Sequence, residues 1–255
     1  MLGKLMKYEF MSMGRVFLPM YGALIAVTLI SRLLMLLPHT APMTISTVVA
    51  SVMIAAVAVI TLILIIQRFR KNLLSDEGYL MMTLPVNTGS LILSKMFVAT
   101  IFATASTLVS TLAIFILASG DFTLIINELE VYLSNIEARH VLVTFQVFVI
   151  AILATFASIL LLYTCMALSL FVNKRRGLVA FGAFVGITTI MQIITAIVGA
   201  IVTFSFLFDH SWFANISSFA IGQLTILAIT IVMLIQCAVF YFITRYMLKR
   251  RLNLL

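Results

Sequence analysis

Charged residues are scarce in this chain of 255 residues: only 9% are Asp, Glu, Lys or Arg, while 64% are hydrophobic. Average soluble domains contain roughly 25% charged and about 45–50% apolar residues. So few charges cannot cover a water-facing surface, which excludes a soluble globular domain. The mean hydropathy of +1.24 and apolar runs longer than any buried strand indicate an integral membrane protein.

Cysteine, proline and glycine are also scarce. The two cysteines, Cys165 and Cys237, both lie inside apolar runs, which excludes a disulfide scaffold and predicts inert, buried thiols. With 4 Pro and 11 Gly, neither a fibrous repeat nor disorder is expected. No Pro-, Gly- or Ser-rich linker separates two parts, so a single transmembrane domain over residues 1–255 is predicted.

Six stretches contain the roughly 20 apolar residues that a transmembrane helix needs. They cover residues 16–37, 45–67, 90–119, 141–172, 178–208 and 221–246. The predicted fold is therefore an all-α membrane protein with six transmembrane helices.

The basic residues give the orientation of these spans. All but two of the 16 Lys and Arg residues fall on one side of the predicted membrane, and only Arg32 and Arg139 fall on the other. By the positive-inside rule, both termini are cytoplasmic in a multi-pass protein of the cell membrane. The net charge of +8 therefore reflects topology, and no nucleic-acid partner is expected.

Two further features concern the fifth span with the connector that follows it, and the external segment at residues 121–140. The long fifth span contains Gly182, Gly186 and Gly199 and leads into an aromatic connector. It is either one tilted helix with an interfacial aromatic belt or a re-entrant pair of short helices before the last span. Residues 121–140 show helical apolar spacing, which predicts an external amphipathic helix or a helical extension.

The sequence contains no recognisable catalytic or metal-binding motif. The ionisable Arg32 and Lys95 lie near span ends, where they are expected to snorkel to the interface. The histidines fall in external connectors without metal-ligand spacing, and no phosphate loop or nucleophile elbow occurs. The chain is therefore not expected to be an enzyme or to bind a metal. Four glutamines in the spans are candidates for helix packing or for lining a transport path: Gln146, Gln192, Gln223 and Gln236.

The cytoplasmic segment between spans two and three predicts a short helix over residues 75–84. Ser75 can cap its amides, Asp76 and Glu77 favour the positive end of the dipole, and Pro85 ends it. Its apolar stripe is too short to cross a bilayer, so this helix lies on the membrane or packs on a protein. The candidate partner-binding residues are Ser75, Asp76, Glu77, Gly78, Tyr79, Leu80, Thr83, Leu84 and Pro85.

The first 15 residues predict an N-terminal amphipathic helix. Its apolar residues fall on one face and its basic residues mostly on another. The apolar face contains Leu2, Leu5, Met6, Phe10 and Met13; the basic residues are Lys4, Lys7 and Arg15.

Three short motifs carry a resemblance to a known family. They are Glu77-Gly78-x-Leu80, Leu84-Pro85-Val86 and Ile92-Leu93-Ser94-Lys95. With the six spans and the opening Leu5-Met6-Lys7-Tyr8-Glu9-Phe10, the chain resembles the permease subunits of ABC transporters of the type 2 exporter class. It departs from the longer family version by having fewer residues between Glu77 and Pro85.

The resemblance implies an elbow helix at the N-terminus, which would include Lys4, Lys7, Glu9 and Phe10, and a coupling helix at residues 75–84. It also implies a re-entrant segment before the last span. The implied partners are a separate ATPase subunit and a second permease, either a copy or a relative. ATP and Mg²⁺ would be bound by the ATPase, and this chain would hold no cofactor.

The expected function is export of a hydrophobic or amphipathic substrate, either a peptide, a drug or a lipid. The alternative is a membrane sensor or immunity subunit that binds a ligand or partner without transport. A membrane enzyme is a third class, disfavoured because ionisable groups at membrane depth are nearly absent.

Overall fold

A computed structural model of the chain describes residues 2–35, 40–71, 88–118, 126–127, 130–131, 134, 138–169, 175–208 and 218–252. Six long helices make up nearly all of this part. They are α1 (Leu2–Met35), α2 (Thr40–Phe69), α3 (Thr88–Ala118), α4 (Ala138–Leu168), α5 (Arg176–Phe208) and α6 (Ser218–Leu252).

Each of the six helices is long and apolar enough to cross a membrane. Their lengths run from 30 residues in α2 to 35 residues in α6, or about 45 to 53 Å at 1.5 Å per residue. The hydrocarbon core of a bilayer is only about 30 Å thick. The predicted all-α, multi-pass fold is thus confirmed, with six such helices in the described part of the chain.

The first helix differs from the sequence expectation of a separate elbow. α1 runs without interruption from Leu2 to Met35, through Pro19, so the N-terminal residues extend the first long helix. The expected distinct elbow is therefore not shown. Of the residues in the predicted amphipathic pattern, Met13 is buried and Lys7 is exposed, but Phe10 of the predicted apolar face is exposed as well.

The fifth span also forms one continuous helix. α5 extends from Arg176 to Phe208 and contains all three glycines of the span. Its described part agrees with the single-helix interpretation, while the connector at 209–217 lies outside the described residues. In the predicted external helix, residues 126, 127, 130, 131 and 134 are helical, and α4 begins at Ala138.

The chain divides into two compact units, which are considered separately. Unit 1 covers Met1–Phe148 and unit 2 covers Val149–Leu255. Unit 1 therefore contains α1, α2, α3 and the start of α4. Unit 2 contains the rest of α4 together with α5 and α6.

In unit 1, α1 packs against α2 and α3, and α2 packs against α3. The buried residues of α1 recur three, four or seven positions apart, which places them on one stripe of the helix. That stripe contains Met13, Phe17, Leu24, Thr28 and Ser31. At its centre, Leu24 packs with Val57 of α2 and Ala113 of α3. Ala113 is the one small side chain of these three, and a small residue favours close approach of helix backbones.

In unit 2, hydroxyl groups join α4 to α6. Thr164 Oγ1 lies 3.0 Å from Thr244 Oγ1 and donates to the Phe240 carbonyl at 3.3 Å. Cys165 and Cys237 are buried free thiols, as predicted. Among the side chains that the structure describes on α5, none is buried.

Candidate functional site

The predicted coupling helix at residues 75–84, with Pro85 after it, lies outside the described residues. The structure does describe the helix ends on either side of this segment. α2 ends at Phe69, and residues 70 and 71 continue it in a wider π turn; α3 begins at Thr88. The site is therefore built from these two ends and from the part of α1 that contacts them.

A single carboxylate of α1 binds both helix ends. Arg68 Nε on α2 donates to Glu9 Oε2 at 2.9 Å, and Lys95 Nζ on α3 donates to Glu9 Oε1. We call these three residues the Glu9 triad. It joins positions that are 59 and 86 residues apart in the sequence.

The Glu9 triad is largely removed from solvent within unit 1. The side chain of Lys95 is 4% exposed, that of Glu9 is 11% exposed and that of Arg68 is 24% exposed. Buried ions are costly unless paired and hydrogen-bonded. Because each Glu9 oxygen accepts from a different cation, one carboxylate compensates two basic groups at the point where three helices meet.

Lys95 corrects a sequence expectation. The sequence predicts that this lysine snorkels to the interface at the end of its span. The structure instead buries it at 5% residue exposure and pairs it with Glu9. The signal for this pairing was a lone acid within a basic N-terminal segment, together with a lysine inside an apolar run.

An aromatic cluster continues the contact between α1 and α3. The Phe102 ring packs against the rings of Phe10 and Phe17, at centroid distances of 5.0 Å and 4.8 Å. The centroids of the Phe17 and Tyr21 rings are 5.8 Å apart. These separations fall in the favourable range for aromatic pairs. A Cβ at Gly14 would lie 3.9 Å from the Phe102 ring. The small residue at position 14 thus faces this ring.

A hydroxyl network joins the same three helices at greater depth. Tyr21 Oη donates to the Phe102 carbonyl at 2.9 Å and lies 2.7 Å from Ser106 Oγ. Ser106 Oγ also lies 2.9 Å from Thr61 Oγ1 on α2. Near the other end of α1, Ser31 donates to the Ser46 carbonyl at 3.1 Å. Glu9 and Ser31 are separated along α1 by about 33 Å, close to the thickness of a hydrocarbon core.

An open pocket of about 260 Å³ lies beside the triad, between α1 and α2. The residues that line it recur at helical spacing, so each helix contributes one face. They are Ser12, Met13, Val16 and Phe17 on α1, and Leu64, Gln67, Arg68 and Lys71 on α2 and its π turn. The pocket has an apolar wall and a polar, basic edge.

The four candidate path-lining glutamines are distributed over three helices: Gln146 on α4, Gln192 on α5, and Gln223 and Gln236 on α6. Gln192 is exposed and the other three are half-buried. Gln146 lies in unit 1 and the others in unit 2. Their role in a path stays a prediction.

The remaining elbow residues have different surroundings. Lys7 and Phe10 are exposed on α1, although the Phe10 ring contacts Phe102; Lys4 belongs to the same helix. Within the described ranges, no group of three or more His, Cys, Asp or Glu side chains could hold a metal ion.

Comparison of the chain with protein-family models, with curated proteins and with solved structures finds no match.

Proposed function

We propose that this chain is the transmembrane permease subunit of an ATP-driven exporter of the ABC type 2 class. It moves a hydrophobic or amphipathic substrate, such as a peptide, a drug or a lipid, out of the cell. A separate ATPase subunit binds ATP and Mg²⁺ and supplies the energy. The Glu9 triad carries this proposal, because it connects the predicted coupling segment to the helices that would have to move.

The positions of the triad residues support a mechanical role for that segment. Arg68 lies just before residues 72–87 and Lys95 lies just after them, and both bind Glu9 on α1. A displacement of the segment is therefore transmitted to α1, α2 and α3 together. Coupled movement of packed helices is an established way to switch a protein between two states.

The sequence of the segment supports a protein partner. The short helix predicted at residues 75–84 combines an apolar stripe with Asp76 and Glu77, and acidic residues are a poor match for an anionic membrane surface. The Glu77-Gly78-x-Leu80 motif is similar to that of permeases whose coupling helix docks on an ATPase. In this proposal the termini and the segment are cytoplasmic, and two permeases, identical or related, bind two ATPases.

The test is gentle solubilisation of the tagged chain from its own cells, followed by identification of co-purified ATPases and measurement of ATP turnover. Glu77→Ala and Leu80→Ala should lose the ATPase while the chain remains inserted. Glu130→Ala is the matched control, because Glu130 is exposed in the segment between α3 and α4. Its ATPase recovery should equal that of the unaltered chain.

Two results would contradict the proposal. One is the absence of any ATPase with the unaltered chain, which would favour a sensor or immunity subunit without transport. The other is equal ATPase recovery and turnover with Glu77→Ala, Leu80→Ala and Glu130→Ala. Such equality would show that the 75–84 segment does not bind the ATPase.

A further inference from the structure

Gln192 is a polar side chain in the middle of an apolar helix. It lies midway between Arg176 and Phe208, the two ends of α5. A hydrocarbon core about 30 Å thick takes about 20 residues of helix. Every stretch of that length within the 33 residues of α5 contains Gln192. Its amide is therefore at membrane depth wherever α5 crosses the bilayer.

The amide of Gln192 has no hydrogen-bond partner within the described residues. The nearby threonines differ, because Thr189 Oγ1 donates to the Val185 carbonyl at 2.7 Å and Thr195 Oγ1 to the Met191 carbonyl at 2.8 Å. An unpaired amide is costly in hydrocarbon, and its side chain lacks the length with which Lys and Arg snorkel to the interface. Gln192 therefore requires a polar partner that the described part of the chain does not supply.

Two glycines open the surface of α5 beside this amide. Gly182, Gly186 and Thr189 are four and three positions apart and share one face of the helix, and Gln192 borders that face three positions later. All four residues are exposed, and a Cβ at either glycine would meet no neighbouring atom within 4 Å. Glycines at this spacing permit close approach of a second transmembrane helix, whereas the unpaired amide requires a partner.

A second copy of the chain satisfies this amide by symmetry. A Gln side chain carries both donors and an acceptor, so two such amides can pair with each other. The basic residues that set the topology are the same in every copy, so each copy holds Gln192 at the same depth. A two-fold axis along the membrane normal then places Gln192 opposite Gln192, in an interface where one patch contacts itself.

We propose that the Gly182–Gln192 face of α5 binds the same face of a second copy, with the two Gln192 amides hydrogen-bonded to each other. Of the two roles that the sequence allows for Gln192, this one is helix packing. The inference names a contact for the pair of permeases in the proposed function and to that extent rests on it. Self-association requires no ATPase, however, so the two proposals can fail separately.

The experiment measures self-association of the full chain in lipid vesicles that contain no ATPase. Copies labelled with a donor or an acceptor dye are mixed, and energy transfer is followed as lipid dilutes the protein. We expect a dimer that Gln192→Leu weakens about 3- to 20-fold, the range for interhelical hydrogen bonds in membranes. Gln192→Asn retains the amide and should weaken the dimer less, whereas Gly186→Leu should weaken it several-fold by blocking close approach.

Each variant has a matched control at an exposed position on another helix. Gln67→Leu makes the same change near the end of α2, and Gly22→Leu adds the same side chain on α1, where a Cβ meets no neighbouring atom within 4 Å. Both controls should associate as the unaltered chain does.

Three results would overturn the proposal: a monomer at every dilution, a Gln192→Leu dimer as tight as the unaltered one, or equal losses with the controls. A dimer that depends on Gln192, in a chain that recovers no ATPase from its own cells, would retain this inference and contradict the exporter. Recovery of an ATPase with a chain that stays monomeric in vesicles would do the reverse.

Discussion

Unit 1 and unit 2 are both built from long apolar helices, but different contacts join their described parts. In unit 1, α1, α2 and α3 meet at the Glu9 triad. Phe102 of α3 packs against α1, and the Ser106 hydroxyl of α3 contacts Tyr21 of α1 and Thr61 of α2. In unit 2, the Thr164 hydroxyl joins α4 to α6, and α5 has no buried side chain among those described.

The difference shows how a membrane helix obtains a specific neighbour. Apolar surface alone does not distinguish a lipid tail from another helix, so packing, small residues and interhelical hydrogen bonds decide which helices associate. Unit 1 uses all of these and adds the two ion pairs of the Glu9 triad. Its helix positions should therefore respond strongly to single polar substitutions, whereas those of unit 2 should respond weakly.

The largest expected effect is at Glu9. Glu9→Gln leaves Lys95 and Arg68 without their carboxylate, and loss of one partner of a buried pair costs about 3–5 kcal/mol. The free energy of unfolding, measured in detergent, should fall by about that amount. Glu130→Gln is the control, since Glu130 is exposed and its loss should cost little.

A double variant separates the lost bond from the stranded charge. Lys95→Met removes the cation, so Glu9→Gln combined with Lys95→Met should be more stable than Glu9→Gln alone. If Glu9→Gln and Glu130→Gln have equal stability, the triad contributes nothing measurable, and the contrast between the units loses its main support.

The next effect is at Tyr21. Tyr21→Phe removes the hydroxyl that contacts Phe102 and Ser106 but retains the ring beside Phe17. Interhelical hydrogen bonds in membranes contribute about 0.6 kcal/mol on average and up to about 1.7 kcal/mol, so we expect a loss near the upper value. Tyr8→Phe, at a position 72% exposed, should not change the unfolding free energy.

Thr164 provides the corresponding test in unit 2. Thr164→Val removes the hydroxyl contacts with Thr244 and Phe240 while keeping the side-chain shape. The single Thr164 hydroxyl proton is shared with the Leu160 carbonyl of its own helix, at the shorter distance of 2.8 Å, so the net loss should be close to the average of about 0.6 kcal/mol. A loss larger than that of Tyr21→Phe would reverse the comparison.

The smallest expected effect is at Arg175, just before α5. Its φ of 59° lies in the left-handed region, and its carbonyl accepts from Leu178 N at 3.0 Å. Glycine adopts this conformation without strain but loses more backbone entropy, so the two effects oppose each other and Arg175→Gly should change the free energy of unfolding by less than about 0.5 kcal/mol. Arg175→Val should be destabilising, because β-branched residues fit this region poorly. Equal stability of the two variants would argue against a left-handed residue here.

The existence of six spans could be predicted from the sequence because bilayer thickness sets a minimum length for an apolar helix. The helix ends could not, since α1 extends back to Leu2 and α5 forward to Phe208. Charged and polar residues continue a helix as readily as apolar ones when nothing breaks it. The proposed elbow boundary depended on a change in amphipathic pattern, which does not require a change in backbone.

The sequence singles out two residues of the Glu9 triad but does not predict that they contact each other. In the sequence, Glu9 belongs to a family-like N-terminus and Lys95 to a short motif, but their contact joins residues 86 positions apart. Pairing at that distance depends on which helices pack together, and hydrophobic periodicity does not encode it. The pocket was missed for the same reason, because its two faces come from different helices.

The two oxygens of Glu9 belong to one rigid, planar group, which has a geometric consequence. Arg68 and Lys95 cannot move apart by more than their own side chains can stretch unless one of them releases the carboxylate. Glu9 therefore acts as a fixed spacer between the end of α2 and the start of α3. Any state in which these helix ends separate must have one ion pair fewer, and the cation left behind must find water, a lipid phosphate or another acid.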